Sequence, residues 1–154
     1  MSVAQFENLL GEWSGAKQVF LEEEVFDSRS TASVKRNIKE QFILISYKWE
    51  FDGSPQEGLI LFNSQLDERP SRSIWLDSWH MRSEIMYCVG SMGENGVVSF
   101  TGSYTVQNSP DWGWRIEIKL SDVDSLEMRM INISPQGEEA LGVLAQYSRT
   151  HPSG

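Results

Sequence analysis

Trp112-Gly113-Trp114-Arg115-Ile116-Glu117-Ile118-Lys119-Leu120 decides how the rest of the chain is read. Trp112, Trp114, Ile116, Ile118 and Leu120 take alternate positions and share one face, while Arg115, Glu117 and Lys119 share the other. Period two is the mark of a strand with one buried and one solvated side. The same alternation continues on both sides of this stretch. Leu126, Met128 and Met130 form one row that ends on Asn132, and Val98, Phe100, Tyr104 and Val106 form another with Gly102 between them. Trp49 shares its row with Tyr47, Ile45 and Ile43.

Worked outward, the pattern predicts strands from Trp13 to Leu21 and over 30–38, 41–51, 57–63, 73–81, 84–90, 97–106, 112–120, 125–134 and 141–149. The breaks carry turn chemistry, such as Asp52-Gly53-Ser54-Pro55, Asn108-Ser109-Pro110-Asp111 and Pro135-Gln136-Gly137. About ten strands at short spacing point to an all-β sandwich or an up-and-down barrel. One short helix is expected before them. Ser2 and Gln5 form a capping-box pattern, Val3, Phe6 and Leu10 share a helical face, and Gly11 suits the position past its end. Nothing in the pattern marks a linker or repeat, so residues 1–154 are read as one domain.

The chain has 154 residues, with 13 Lys plus Arg against 22 Asp plus Glu, a formal charge of −9. An acidic surface of this kind is a poor match for nucleic acid or an anionic membrane, which need a positive field. The single Cys88 excludes an internal disulfide. The start, Met1 to Glu7, lacks the basic and apolar regions of a signal peptide, and no apolar run approaches the ~20 residues of a membrane span. The expectation is a cytoplasmic protein, monomer or homodimer. Two distant histidines, His80 and His151, make no metal signature, and no cofactor motif is present.

The six tryptophans are the unusual feature. Alternation puts Trp75, Asp77 and Trp79 on one face and Leu76, Ser78 and His80 on the other. Two tryptophans around a carboxylate either build a slot with one polar anchor or fill a core in which the Asp bonds a turn. His80 is the one histidine inside an expected strand, either a ligand contact and general base or a structural residue. In a straight strand it points away from Asp77. Trp112 and Trp114 are either a stacking platform or packing. Glu22-Glu23-Glu24 reads as a solvated turn, and Cys88 as a buried, inert thiol. The candidate lining of a pocket for a small hydrophobic or aromatic ligand is Trp49, Trp75, Asp77, Trp79, His80, Tyr104, Trp114 and Met130. The competing reading is an enzyme using His80 and Asp77 for proton transfer. No catalytic residue is assigned.

Gly11-Glu12-Trp13-Ser14-Gly15, entering the first strand, resembles the G-x-W opening of lipocalins and other calycin barrels. That resemblance implies an antiparallel up-and-down barrel like those of lipocalins and fatty-acid-binding proteins, with Trp13 plugging one end under Arg149 of the last strand. Gln56-Glu57-Gly58-Leu59, Trp75-Leu76-Asp77-Ser78-Trp79-His80, Trp112-Gly113-Trp114-Arg115 and Asn132-Ile133-Ser134-Pro135-Gln136-Gly137-Glu138 are similar to the bacterial domain-of-unknown-function family 1579. That family's activity is undefined, so the resemblance implies a fold alone. The opening also resembles nitrobindin-like haem proteins. Their ligating histidine, early in the last strand, falls near Gly142 here, which has no side chain to ligate with.

Overall fold

Asp52 and Gly53, at φ 49° and 82°, form a two-residue hairpin loop. Both angles are positive, as a turn whose twist matches its flanking strands requires, and Asp-Gly is well suited to it. The loop joins β3 (Phe42–Phe51) to β4 (Ser54–Asn63), with Phe51 paired to Ser54. Eight further strands repeat this plan: β1 (Gly11–Leu21), β2 (Glu24–Asn37), β5 (Ser71–Asp77), β6 (Met86–Met92), β7 (Val98–Tyr104), β8 (Trp112–Asp122), β9 (Ser125–Ile133) and β10 (Glu139–Arg149). The computed structural model describes residues 7–63, 71–92 and 97–150.

Each strand pairs antiparallel with its neighbours in sequence, and β1 pairs with β10, so the sheet closes into a ten-stranded up-and-down barrel without an edge. The alternation predicts an all-β sandwich or up-and-down barrel, and the structure is the barrel that the resemblance of the G-x-W opening implies. The inward rows are apolar: Ile43, Ile45, Tyr47 and Trp49 on β3, and Trp114, Ile116 and Ile118 on β8, are all buried. The expected helix falls largely on residues 1–6, outside the described part. Just before β1 the chain makes a turn in which the Leu10 N–H donates to the Glu7 carbonyl at 3.3 Å. The Glu22-Glu23 stretch is an exposed hairpin loop and Cys88 is buried.

Register separates the two ends of the barrel. One holds the start of β1 beside the end of β10, with Trp13 opposite Arg149. The Arg149 guanidinium lies 4.3 Å from the Trp13 ring centroid, and the Trp13 indole donates to the Leu9 carbonyl at 2.9 Å. Arg149 also donates to the carbonyls of Leu10 at 2.7 Å, Val123 at 2.8 Å and Asn8, and to Asp124. A planar cation can stack on a ring and bond in its own plane at the same time. The other end gathers the close of β3, β5 and β7 and the start of β8, where Trp49, Asp77, Tyr104 and Trp114 lie.

Two boundaries differ most from the expectation. Strand β2 begins at Glu24, well before residue 30, because a tight loop at 22–23 lets Leu21 pair with Glu24 at once. Strand β5 stops at Asp77 and does not run to 81. The cause is the Asp77 side chain, whose Oδ1 accepts the backbone N–H of Trp79 at 2.9 Å and of His80 at 2.8 Å. An aspartate that caps the two following amides turns the chain locally and ends the ladder.

Candidate functional site

The early end of β5 overturns the two-face assignment of Trp75 to His80. Trp75 and Asp77 do share the inward face, but Trp79 and His80 lie in the turn beyond the strand. The turn folds His80 back, so its Nδ1 lies 3.2 Å from Asp77 Oδ1, where a straight strand would have separated them.

Asp77 is the centre of a buried polar group. Its Oδ2 accepts the Tyr47 hydroxyl at 2.6 Å, and the same hydroxyl accepts the Trp75 indole N–H at 2.9 Å. Tyr47, Gly58 and Asp77 are successive cross-strand partners on β3, β4 and β5. The tyrosine spans the glycine to reach the carboxylate. A Cβ at Gly58 would lie 2.4 Å from the Tyr47 hydroxyl and 2.6 Å from the Leu76 carbonyl oxygen, so the absent side chain is what makes this bond possible. Lys17, from across the barrel on β1, is 2% exposed and brings its Nζ to 3.9 Å from Asp77 Oδ2. The ammonium also lies 4.0 Å from the Trp49 ring centroid and 4.4 Å from that of Tyr47.

Burial dominates the protonation of this group. It lowers Lys17 to about 7 against an opposing pull from Asp77. It lowers His80 as well, again against Asp77, leaving a neutral imidazole near neutral pH. Burial works to raise Asp77, but the hydrogen bonds from His80, with Lys17 behind them, hold the carboxyl well below the usual range. Tyr47 is pushed up by burial and by the adjacent carboxylate. The group at neutral pH is one fixed carboxylate among donors.

Aromatic rings surround it. Trp75 and Trp114 stack with centroids 5.3 Å apart and planes at 9°. The His80 ring lies 4.6–5.7 Å from those of Trp79, Trp75, Trp49 and Trp114. Trp79 stacks on Phe51 at 4.4 Å, and Tyr104 meets Trp114 edge-on at 6.5 Å. Phe51, Trp79 and Tyr104 are half-buried, so the cluster reaches solvent at the rim. The indole N–H groups of Trp49 and Trp114 are buried and have no acceptor among the described residues. Such orphaned donors are uncommon, each costing about 1–3 kcal/mol.

Seven of the eight candidate lining residues therefore meet at one end of the barrel. Met130 does not join them. It faces inward but pairs with Ile116 and Val143 in the apolar layer next to the cluster. Lys17, Tyr47, Gly58 and Phe51 belong to the site and were not among the candidates. Lys17 had a legible signal, since it lies on the row of Trp13 and Val19. His151 lies outside the described residues. Grooves of about 580 and 690 Å³ run over β2 to β5, past Thr31, Lys48 and Glu57; Tyr47, Gly58 and Asp77 contribute to the lining of the first and Trp49 to that of the second.

No group of three or more His, Cys, Asp or Glu among the described residues could hold a metal ion. A nitrobindin-type haem does not fit at Gly142. The register shifts between Leu141 and Val143, and a Cβ at Gly142 would lie 3.0 Å from the Trp114 ring. Tryptophan fills the space where a ligating side chain would project.

Known proteins place the fold. A family model described as a protein of unknown function, DUF1579, matches residues 3–149. The crystal structure of Rv2717c from M. tuberculosis superposes with a TM-score of 0.64 at 13% identity, over 97% of each chain. The S-type phycobiliprotein lyase CPES from Guillardia theta gives 0.61 at 15% identity, over 99% of this chain and 95% of the other. A de novo designed fluorescence-activating β-barrel gives 0.51 at 16%, over 97% and 100%. No curated protein matches in sequence. At these identities the likeness is one of barrel fold.

Proposed function

The chain belongs to the DUF1579 family, and from its geometry we propose that the tryptophan-lined end binds a small, planar aromatic ligand carrying hydrogen-bond acceptors. One observation carries this reading. Trp49 and Trp114, 3% and 8% exposed, bury indole N–H groups that meet no acceptor among the described residues. A ligand with acceptors on a flat apolar body would satisfy both donors and stack in the same place. Phe51, Trp79 and Tyr104 form its rim. The lyase and the fluorescence-activating barrel have the same fold, which is in keeping with a ligand at the barrel end but does not name it.

Titration with a planar heteroaromatic probe tests the proposal. Tryptophan emission is expected to quench to saturation, with a matching rise in the melting temperature. A probe series that changes neither overturns it.

A second reading rests on the Asp77–His80 contact. A neutral imidazole, oriented by a carboxylate and 12% exposed, has the form of a general base. His80→Asn would then retain ligand binding and lose turnover.

A further inference from the structure

Lys17 has no role in either reading. It is the one buried lysine of the five in the chain; Lys35, Lys39, Lys48 and Lys119 are exposed. A structural ion pair would place its nitrogen about 2.8 Å from a carboxylate oxygen with directed hydrogen bonds. Here the separation is 3.9 Å, and the nitrogen faces the rings of Trp49 and Tyr47. The amine is held in the barrel without being locked to its counter-ion.

We propose that Lys17 captures an aldehyde: its amine forms a reversible imine with the carbonyl carbon of an aromatic aldehyde seated at the tryptophan-lined end. The inference rests on the ligand-binding reading and assigns a chemical class to the ligand. An amine lowered to about 7 is substantially unprotonated at neutral pH, the condition for a nucleophilic lysine. The free pair on Nζ attacks the carbonyl carbon, and the C=O π pair moves to oxygen. A nitrogen proton passes to that oxygen, giving a carbinolamine. The C–O bond then breaks, and the oxygen leaves as water with a proton relayed from solvent through His80, whose side chain is 12% exposed and bonded to Asp77. The products are a protonated imine and water, and no oxidant or reductant takes part. Asp77, held as a carboxylate, is the counter-ion of the new cation.

The test uses naphthaldehyde, its alcohol naphthylmethanol, and cyanoborohydride on the intact chain. With cyanoborohydride, which reduces the protonated imine and spares the free aldehyde at neutral pH, the aldehyde is expected to give one reduced adduct on a lysine side chain of each chain, distinguished by mapping from any at the α-amine. Peptide mapping should place it on Lys17 while the four exposed lysines remain unmodified. The extent of trapping should rise through pH about 7, where an exposed lysine would respond near its ordinary 10.5. Lys17→Met should give no such adduct, and mapping of the unaltered protein makes the result independent of how that variant folds. Adducts confined to exposed lysines, with tryptophan still quenched by the alcohol, would overturn the imine and leave the binding reading intact. No adduct on Lys17 and no quenching by the alcohol would overturn both.

Discussion

Lys17 makes the folded state more stable as pH rises from neutral towards 9. Its ordinary value of 10.5 is lowered to about 7 by burial. Between these values the unfolded chain binds a proton that the native protein does not, so stability rises with pH across that window. The separation corresponds to at most about 5 kcal/mol. His80 is also lowered, from 6.5. By the same sign its contribution is present above that value and lost as pH falls through the folded one. Urea unfolding at a series of pH values is therefore expected to show stability climbing from pH 7 towards 9, above which the Cys88 thiol, pushed up by burial, works in the opposite direction, with the climb abolished in Lys17→Met. An equal climb in the variant would remove Lys17 as its cause. The sequence held half of this information. A lysine reads as surface when taken alone, and only the row it shares with Trp13 and Val19 turns it inward. Its approach to Asp77 from across the barrel depends on closure, which no local pattern encodes.

At the scale of elements, most of the strands were legible because period two persists through them, and Asp-Gly and Pro-Gln-Gly punctuate them. The segment after Asp77 was not, because Ser78-Trp79-His80-Met81 contains neither glycine nor proline. The turn is made by the Asp77 side chain, which caps the Trp79 and His80 amides. An aspartate followed by serine at a strand end was the available cue. At the opposite end, the last strand and the segment before β1 are joined through one side chain. Arg149 stacks on Trp13 and bonds carbonyls on both sides of it. Arg149→Ala is expected to cost about 2–4 kcal/mol in urea unfolding, since it removes the stacked cation and strands its acceptors. Arg149→Lys should recover only part, because an ammonium lacks the planar fork. A loss below about 0.5 kcal/mol for Arg149→Ala, the range of ordinary surface changes, would show that the seal contributes little.

In the whole molecule, closure puts unlike chemistry at the two ends. One is sealed by Trp13 under Arg149. The other collects rings from β3, β5, the 78–83 turn, β7 and β8 around a single carboxylate. The tryptophans divide accordingly. Trp13 and Trp75 have their indole N–H groups satisfied, by Leu9 and Tyr47. Trp49 and Trp114 do not. That division is testable on the intact protein by following the six side-chain indole N–H resonances during titration with a planar heteroaromatic probe. The Trp49 and Trp114 signals are expected to move downfield to saturation as they gain an acceptor, while those of Trp13 and Trp75 hold their hydrogen-bonded positions. Resonances of Trp49 and Trp114 that remain fixed throughout would contradict a ligand site at this end of the barrel.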